Sequence, residues 1–196
     1  AFCRDAEAFE MIGREVIPRL LRERAEDDTL RVWCAGCANG AEAYSLAMLC
    51  REAMDELGTV RDVKIFATDI DERALRVARD GVYPAGIASH VSPERLKRFF
   101  TPDGTRYRVS DELRDTVLFS THNLISDPPF SRQDLISCRN LLIYLGPHLQ
   151  KKLIPVFHYA LRPGGHLFLG PSENIDTHGD LFAPVDGPHR ISRRKG

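Results

Sequence analysis

Residues 31–53 read RVWCAGCANGAEAYSLAMLCREA. The β-branched and aromatic run Arg31-Val32-Trp33 enters a glycine-bearing turn, Gly36-Cys37-Ala38-Asn39-Gly40. The chain leaves it with apolar Leu46, Leu49, Cys50, Ala53 and Leu57 at helical spacing. The order is strand, tight turn, helix. Glycines in such a turn let backbone approach a ligand, and the free N–H groups of the next helix favour an anionic group, so a nucleotide-like cofactor is the first hypothesis. The turn is not a full GxGxxG, because Cys37 stands where a second close glycine would be. Alone, it reads equally well as an ordinary strand-to-helix turn.

Upstream, Phe9, Ile12, Val16 and Leu20 fall on one face and predict an amphipathic helix over Asp5–Glu23, capped by Asp5. Downstream, Val63–Thr68 reads as a second strand ending in Asp69-Ile70-Asp71, after which Asp71 caps a helix carrying Ala74, Leu75 and Ala78 and stopped by Gly81. Successive β-α-β-α units imply parallel strands with right-handed crossovers and a ligand at their carboxyl ends. The rhythm breaks over Val82–Asp115, read as a small inserted α/β subdomain. It holds a helix start at Ser92-Pro93-Glu94, a turn at Pro102-Asp103-Gly104 and a short strand at Tyr107–Val109. Val117–Ser120 and Leu135–Ser137, the latter introduced by Asp134, restore the sheet. A helix follows over Pro147–Leu161 with a kink at Pro155, then a Pro163-Gly164-Gly165 turn into the strand His166–Leu169, and a closing antiparallel hairpin over Phe182–Ser192. The fold class is a doubly wound, mostly parallel α/β sheet.

The 196 residues, 43% of them hydrophobic, suffice for one well-buried domain and fall short of two. A formal charge of −1 argues against a nucleic-acid partner, and Arg193-Arg194-Lys195 reads as a solvated terminus. No stretch has the apolar length that inserts in a bilayer, and the first residues lack the core of a secretion signal. Five cysteines without a regular framework fit a reducing, cytoplasmic setting. The chain begins at Ala1 without a methionine, as a piece of a longer polypeptide would.

Four polar groups fall at strand ends: Glu42 past the first, Asp69 after the second, Asn123 after the third and Arg139-Asn140 after the fourth. In a parallel sheet they share one edge. A carboxylate at the second strand end can accept both hydroxyls of a ribose, and Asp71 already fills the capping role that Asp69 would otherwise have. Glu42 is favoured by the helix dipole whatever else it does, and equally suits a cationic cofactor group.

With these residues in place, the sequence resembles the CheR-type chemotaxis receptor methyltransferases, which use S-adenosylmethionine. Their S-A-G-C-S-T-G-E-E-P-Y-S motif is similar to residues 34–45. Ala-Thr-Asp-Ile-Asp at 67–71, Asn123-Leu124, Cys138-Arg139-Asn140 through Ile143-Tyr144, Pro163-Gly164-Gly165 and Ser172-Glu173-Asn174 follow in order. Phe2-Cys3-Arg4-Asp5 looks like the family's F-F-R-D. The resemblance implies a Rossmann-like methyltransferase domain over 1–196 that makes glutamate methyl esters and S-adenosylhomocysteine. Glu42 would take the amino group of the methionine moiety, Asp69 the ribose, Asn123-Leu124 the adenine edge, and Arg139-Asn140 the cofactor near its sulfonium. Ala35, Gly36 and Ile70 would line the cofactor site. Arg4 and Tyr144 would face the methyl group and the substrate carboxylate, Arg4 also touching the cofactor. The implied partner is the cytoplasmic helical region of a chemoreceptor or similar signalling protein.

The sequence also departs from the family pattern. Ala41 and Ala43 replace an acidic residue and a proline, and Cys34 a serine. The family's N-terminal helical domain is not in this chain, and the Thr101–Arg106 loop is short for a receptor tail-peptide grip, so a tail-independent enzyme is expected. Cys34-x-x-Cys37 lacks the second pair of a zinc site, and the seven histidines show no HxxxH, so no metal is expected. Asp127-Pro128-Pro129-Phe130, similar to a motif of amino-group methyltransferases, precedes the fourth strand rather than following it and reads as a loop turn. The rivals are a non-catalytic cofactor-sensing domain and a small-molecule carboxyl methyltransferase.

Overall fold

The computed structural model describes residues 2–139, 141–171, 173, 175 and 178–196. A seven-stranded sheet forms its centre. The strands are β1 (Leu30–Ala35), β2 (Val63–Asp69), β6 (Val117–Thr121), β7 (Gln133–Cys138), β8 (Leu161–Leu169), β9 (Phe182–Asp186) and β10 (Ile191–Arg194), in the spatial order β6-β2-β1-β7-β8-β10-β9. The first five run parallel, and β10 lies antiparallel to both β8 and β9. The winding reverses between β1 and β7, where crossovers leave in opposite directions and open a crevice at the carboxyl edge.

Alternation along β1 shows why both faces are covered. Val32 and Cys34 join the core beneath the helices α1 (Ala6–Met11), α2 (Ile17–Glu23) and α3 (Ala41–Leu57), while Trp33 and Ala35 join the core beneath α7 (Pro147–Ala160). α4 (Glu72–Asp80) begins as the sequence predicts, with the Asp71 carboxylate accepting from the Arg73 and Ala74 amides, and ends at Gly81. It packs tightly on the start of α3. A Cβ on Gly40, whose φ is +89, would meet the Ala78 Cβ at 2.7 Å, so only glycine fits there.

The inserted segment forms its own antiparallel sheet from β3 (Val82–Pro84), β4 (Phe100–Asp103) and β5 (Arg106–Val109), in the order β3-β5-β4. Helices α5 (Pro93–Phe99), capped by Ser92, and α6 (Asp111–Arg114) accompany it.

Several sequence expectations are corrected. The helix over 5–23 is not continuous: a π-helical turn, Ile12–Val16, separates α1 from α2 just before Pro18, which has no N–H to continue the ordinary ladder. Asp5 makes no side-chain cap, because its carboxylate is engaged elsewhere. Pro102-Asp103 belong to β4, and the hairpin turns at Gly104-Thr105. Pro163-Gly164-Gly165 is not a turn before a strand; it lies inside β8, where a register shift against β7 absorbs the extra residues. Leu57, at the end of α3, is exposed rather than core-facing. No helix of the described residues is long and apolar enough to cross a membrane.

Candidate functional site

The carboxyl edge carries two neighbouring features. One is a cleft lined by Ala35 and Gly36 at the end of β1, Thr68–Ile70 at the end of β2, His122–Ile125 after β6, and Leu141 and Leu145 after β7. Its place at the carboxyl ends of the strands, beside the switch point, is where such sheets bind ligands. Leu124, Leu141 and Leu145 give it apolar walls, and Ile70 is 70% exposed at its mouth. A Cβ on Gly36, whose φ is +70, would come within 3.0 Å of the Leu141 side chain and narrow the slot.

Two polar residues of this cleft are shaped by backbone contacts. The Asp69 carboxylate accepts from the Ala38 amide at 2.8 Å and the Asp71 amide at 2.9 Å, which braces the glycine turn and leaves further acceptor positions. The Asn123 Oδ1 accepts from the Ile125 and Ser126 amides, and the Asn123 amide donates to Asp127. Asp127-Pro128-Pro129-Phe130 is a loop, as its place before β7 predicts. Its Phe130 stacks on Phe66, and the Pro128 carbonyl lies 2.9 Å from the His122 Nε2.

The second feature is a charged cluster at the switch point. The Arg139 side chain is 3% exposed and lies between the rings of Phe168 and Phe9, 4.4 and 5.2 Å from their centres. It reaches Asp5 Oδ2 at 3.0 Å and Glu42 Oε1 at 3.5 Å. Glu42, in the first turn of α3, also faces the Cys34 thiol at 3.6 Å and the Ser137 hydroxyl at 3.4 Å. Burial pushes its carboxyl above the ordinary glutamate range, opposed by the Arg139 charge and these two donors. Burial also raises the Cys37 thiol to about 12, so neither partner of the Cys-x-x-Cys pair is a ready thiolate. No group of His, Cys, Asp and Glu among the described residues is arranged to hold a metal.

The two remaining candidates stand outside the cleft. Arg4 is exposed, lines a separate open cleft with Cys3, Asp5, Ser89 and His90, and offers its carbonyl to Arg139 at 3.3 Å. Its guanidinium takes no partner among the described residues. Tyr144 is 79% exposed on a short 3-10 turn, Leu142–Tyr144, rather than packed in the core. That turn is stapled by Glu173, whose carboxylate accepts from the Leu142 amide at 2.6 Å and the Gly170 amide at 2.8 Å. Asn140, Ser172 and Asn174 lie outside the described residues.

Sequence reasoning missed Asp5, Cys34 and Ser137 around Arg139 and Glu42, and His122, Ile125, Leu141 and Leu145 in the cleft. For His122 and Leu141 a signal existed, since each follows a strand end by one to three residues.

Comparison with known proteins bears on what this edge does. The family described as CheR methyltransferase, SAM binding domain, matches residues 1–191. Chemotaxis protein methyltransferase 1 of Pseudomonas aeruginosa is 36% identical over 98% of this chain and 72% of its own length. An uncharacterized 104.1 kDa protein of Rhodobacter capsulatus is 44% identical over 97% of this chain, which spans only 20% of it. Among solved structures, the DszA carbon methyltransferase superposes with a TM-score of 0.51 at 17% identity, covering 84% of this chain and 35% of that one, a likeness of fold. The chain therefore belongs to the CheR methyltransferase family, as its S-adenosylmethionine-binding domain.

Proposed function

We propose that this domain transfers the methyl group of S-adenosylmethionine to glutamate side-chain carboxylates in the cytoplasmic helical region of a chemoreceptor-like signalling protein. The observation that carries the reading is the pairing, on one sheet edge, of an apolar-walled cleft bearing Asp69 and Asn123 with the Glu42–Arg139 cluster, beside exposed Arg4 and Tyr144.

The residues present fit the cofactor along its length. The apolar slot with Leu124 takes the adenine, with Asn123 among its lining residues, and the spare acceptor positions of Asp69 take the ribose hydroxyls. Ala35, Gly36 and Ile70 line the approach, and Glu42 takes the amino group, a cation that relieves the strain of a carboxylate raised by burial. Arg139, held against Glu42, would border the sulfonium end.

When bound, S-adenosylmethionine supplies an electrophilic methyl group on a positive sulfur. A glutamate carboxylate is already ionised at pH 7, so the protein supplies no general base. It has to strip water from the carboxylate and align it, which is catalysis by proximity and preorganisation. Arg4 suits this task because its planar fork can hold a carboxylate bidentately, and Tyr144 donates one hydrogen bond. The two-residue Gly104-Thr105 loop between β4 and β5 supports the reading that the inserted 82–115 segment does not depend on a receptor tail peptide.

Incubation with labelled S-adenosylmethionine and a chemoreceptor cytoplasmic fragment tests the proposal. Base-labile label, released as methanol, is expected. Base-stable label would mean N-methylation and overturn the carboxylate acceptor; cofactor binding with no transfer would favour a sensing domain.

A further inference from the structure

The segment before α1 has an unusual conformation. Cys3 and Asp5 both adopt left-handed backbone, with φ of 48° and 64°, one on each side of Arg4. The Cys3 amide is tied to the Ser45 hydroxyl at 2.9 Å. Asp5 begins a helix whose Ala8 and Phe9 amides bond to its carbonyl, yet its carboxylate makes no cap. That carboxylate instead makes the tightest contact of the Arg139 guanidinium. The others, to the carbonyls of Leu169 and Arg4 and to Glu42, are longer, at 3.4, 3.3 and 3.5 Å.

We propose that Asp5 is a positioning residue: it holds the Arg139 guanidinium, and with it the Arg4 peptide, so that Glu42 stays open to the cofactor's amino group. The inference rests on the assignment of Glu42 and Arg139 given above. A buried guanidinium drifts to whichever carboxylate faces it. Without Asp5, Arg139 closes on Glu42, the nearest remaining anion, and competes with the cofactor for it. The other titratable or polar groups near Glu42 are Cys34 on β1, Cys37 in the turn, and Ser137 and Cys138 on β7, all neutral at pH 7 and unable to take over the cationic partner. By the same link, the Arg4 carbonyl loses its fixed donor and the Arg4 side chain its fixed base.

Asp5→Asn keeps the size and the tolerance for left-handed backbone while removing the charge. Calorimetry with S-adenosylhomocysteine from pH 5 to 8 should show affinity at least tenfold weaker at pH 7. The acid limb of the binding profile should move to lower pH, because Glu42 gains an undivided share of the guanidinium and ionises more readily. A residue that merely supported the fold would lower the melting temperature without moving that limb. Wild-type affinity with an unmoved limb in a folded Asp5→Asn protein overturns the proposal. Should that variant fail to fold, Asp5→Glu decides, since it keeps the charge and displaces it by one methylene. Weaker binding at an unchanged melting temperature supports the inference, and wild-type affinity refutes it. Glu42→Gln separates the two layers of argument. If it leaves affinity intact, the assignment of Glu42 falls and this proposal with it; if it weakens binding while Asp5→Asn does not, only the proposal falls.

Discussion

At the β2–β6 end of the carboxyl edge, the binding groups are set by turns and by nearby backbone: Asp69 by the Ala38 and Asp71 amides, Asn123 by amides two and three residues on. At the β1–β7 end, side chains far apart in sequence meet in a half-dry cluster, Glu42 and Arg139 across 97 positions and Asp5 and Arg139 across 134. The first end is robust because Asp69 and the Asn123 Oδ1 are anchored to nearby backbone before any ligand arrives. The second is held by one guanidinium between two carboxylates, and its energy depends on keeping the charges matched.

Removing the guanidinium should break this contrast most sharply. Arg139→Ala leaves Glu42 and Asp5 without their shared cation, and breaking such a pair in a buried setting costs about 3–5 kcal/mol. Urea unfolding should register that loss, together with loss of S-adenosylhomocysteine binding.

The adenosine end responds more mildly. Asp69→Ala removes charge-assisted hydrogen bonds, so affinity for S-adenosylhomocysteine should fall by about 1–3 kcal/mol. Calorimetry checks this, and unchanged affinity would reduce Asp69 to a brace for the glycine turn.

Glu42→Gln should uncouple stability from binding. The folded-state pKa of Glu42 is raised, so its carboxyl is best tolerated in the fold while protonated, and stability is lost as pH rises through that folded value. The amide stays neutral. The variant should match the wild type in urea at low pH and become the more stable of the two as pH climbs above the ordinary glutamate range. Equal stability across the range would mean that Arg139 fully offsets the burial of Glu42.

Tyr144→Phe should have the smallest effect on binding. An exposed hydroxyl outside the cleft adds little to cofactor affinity, whereas its loss should slow single-turnover methylation several-fold if it orients the acceptor carboxylate. A wild-type rate would make Tyr144 structural.

The same contrast explains what the sequence could disclose. Asp71 as a cap, Gly81 as a stop, Ser92 as a helix start and the strand–turn–helix at 31–53 are local matters of propensity and turn chemistry, and the structure agrees with each. Parallel order followed from the β-α rhythm, which brought Asp69, Asn123 and Arg139 to one edge. Asp5 was misread as a cap because capping preferences cannot register an arginine 134 positions away. Pro163-Gly164-Gly165 looked like a turn because turn and bulge draw on the same residues, and only the pairing of β8 with β7 separates them. Leu145 went unnoticed because an apolar wall has no chemical signature of its own, whereas His122 and Leu141 could have been found from their places just past strand ends.

The measurement that tests this two-ended edge most directly is calorimetric binding of adenosine beside S-adenosylhomocysteine to the wild type, Glu42→Gln and Asp69→Ala. If the ends serve separate parts of one cofactor, Glu42→Gln weakens S-adenosylhomocysteine at least tenfold and leaves adenosine untouched, while Asp69→Ala weakens both. Equal losses for the two ligands in Glu42→Gln would contradict the account.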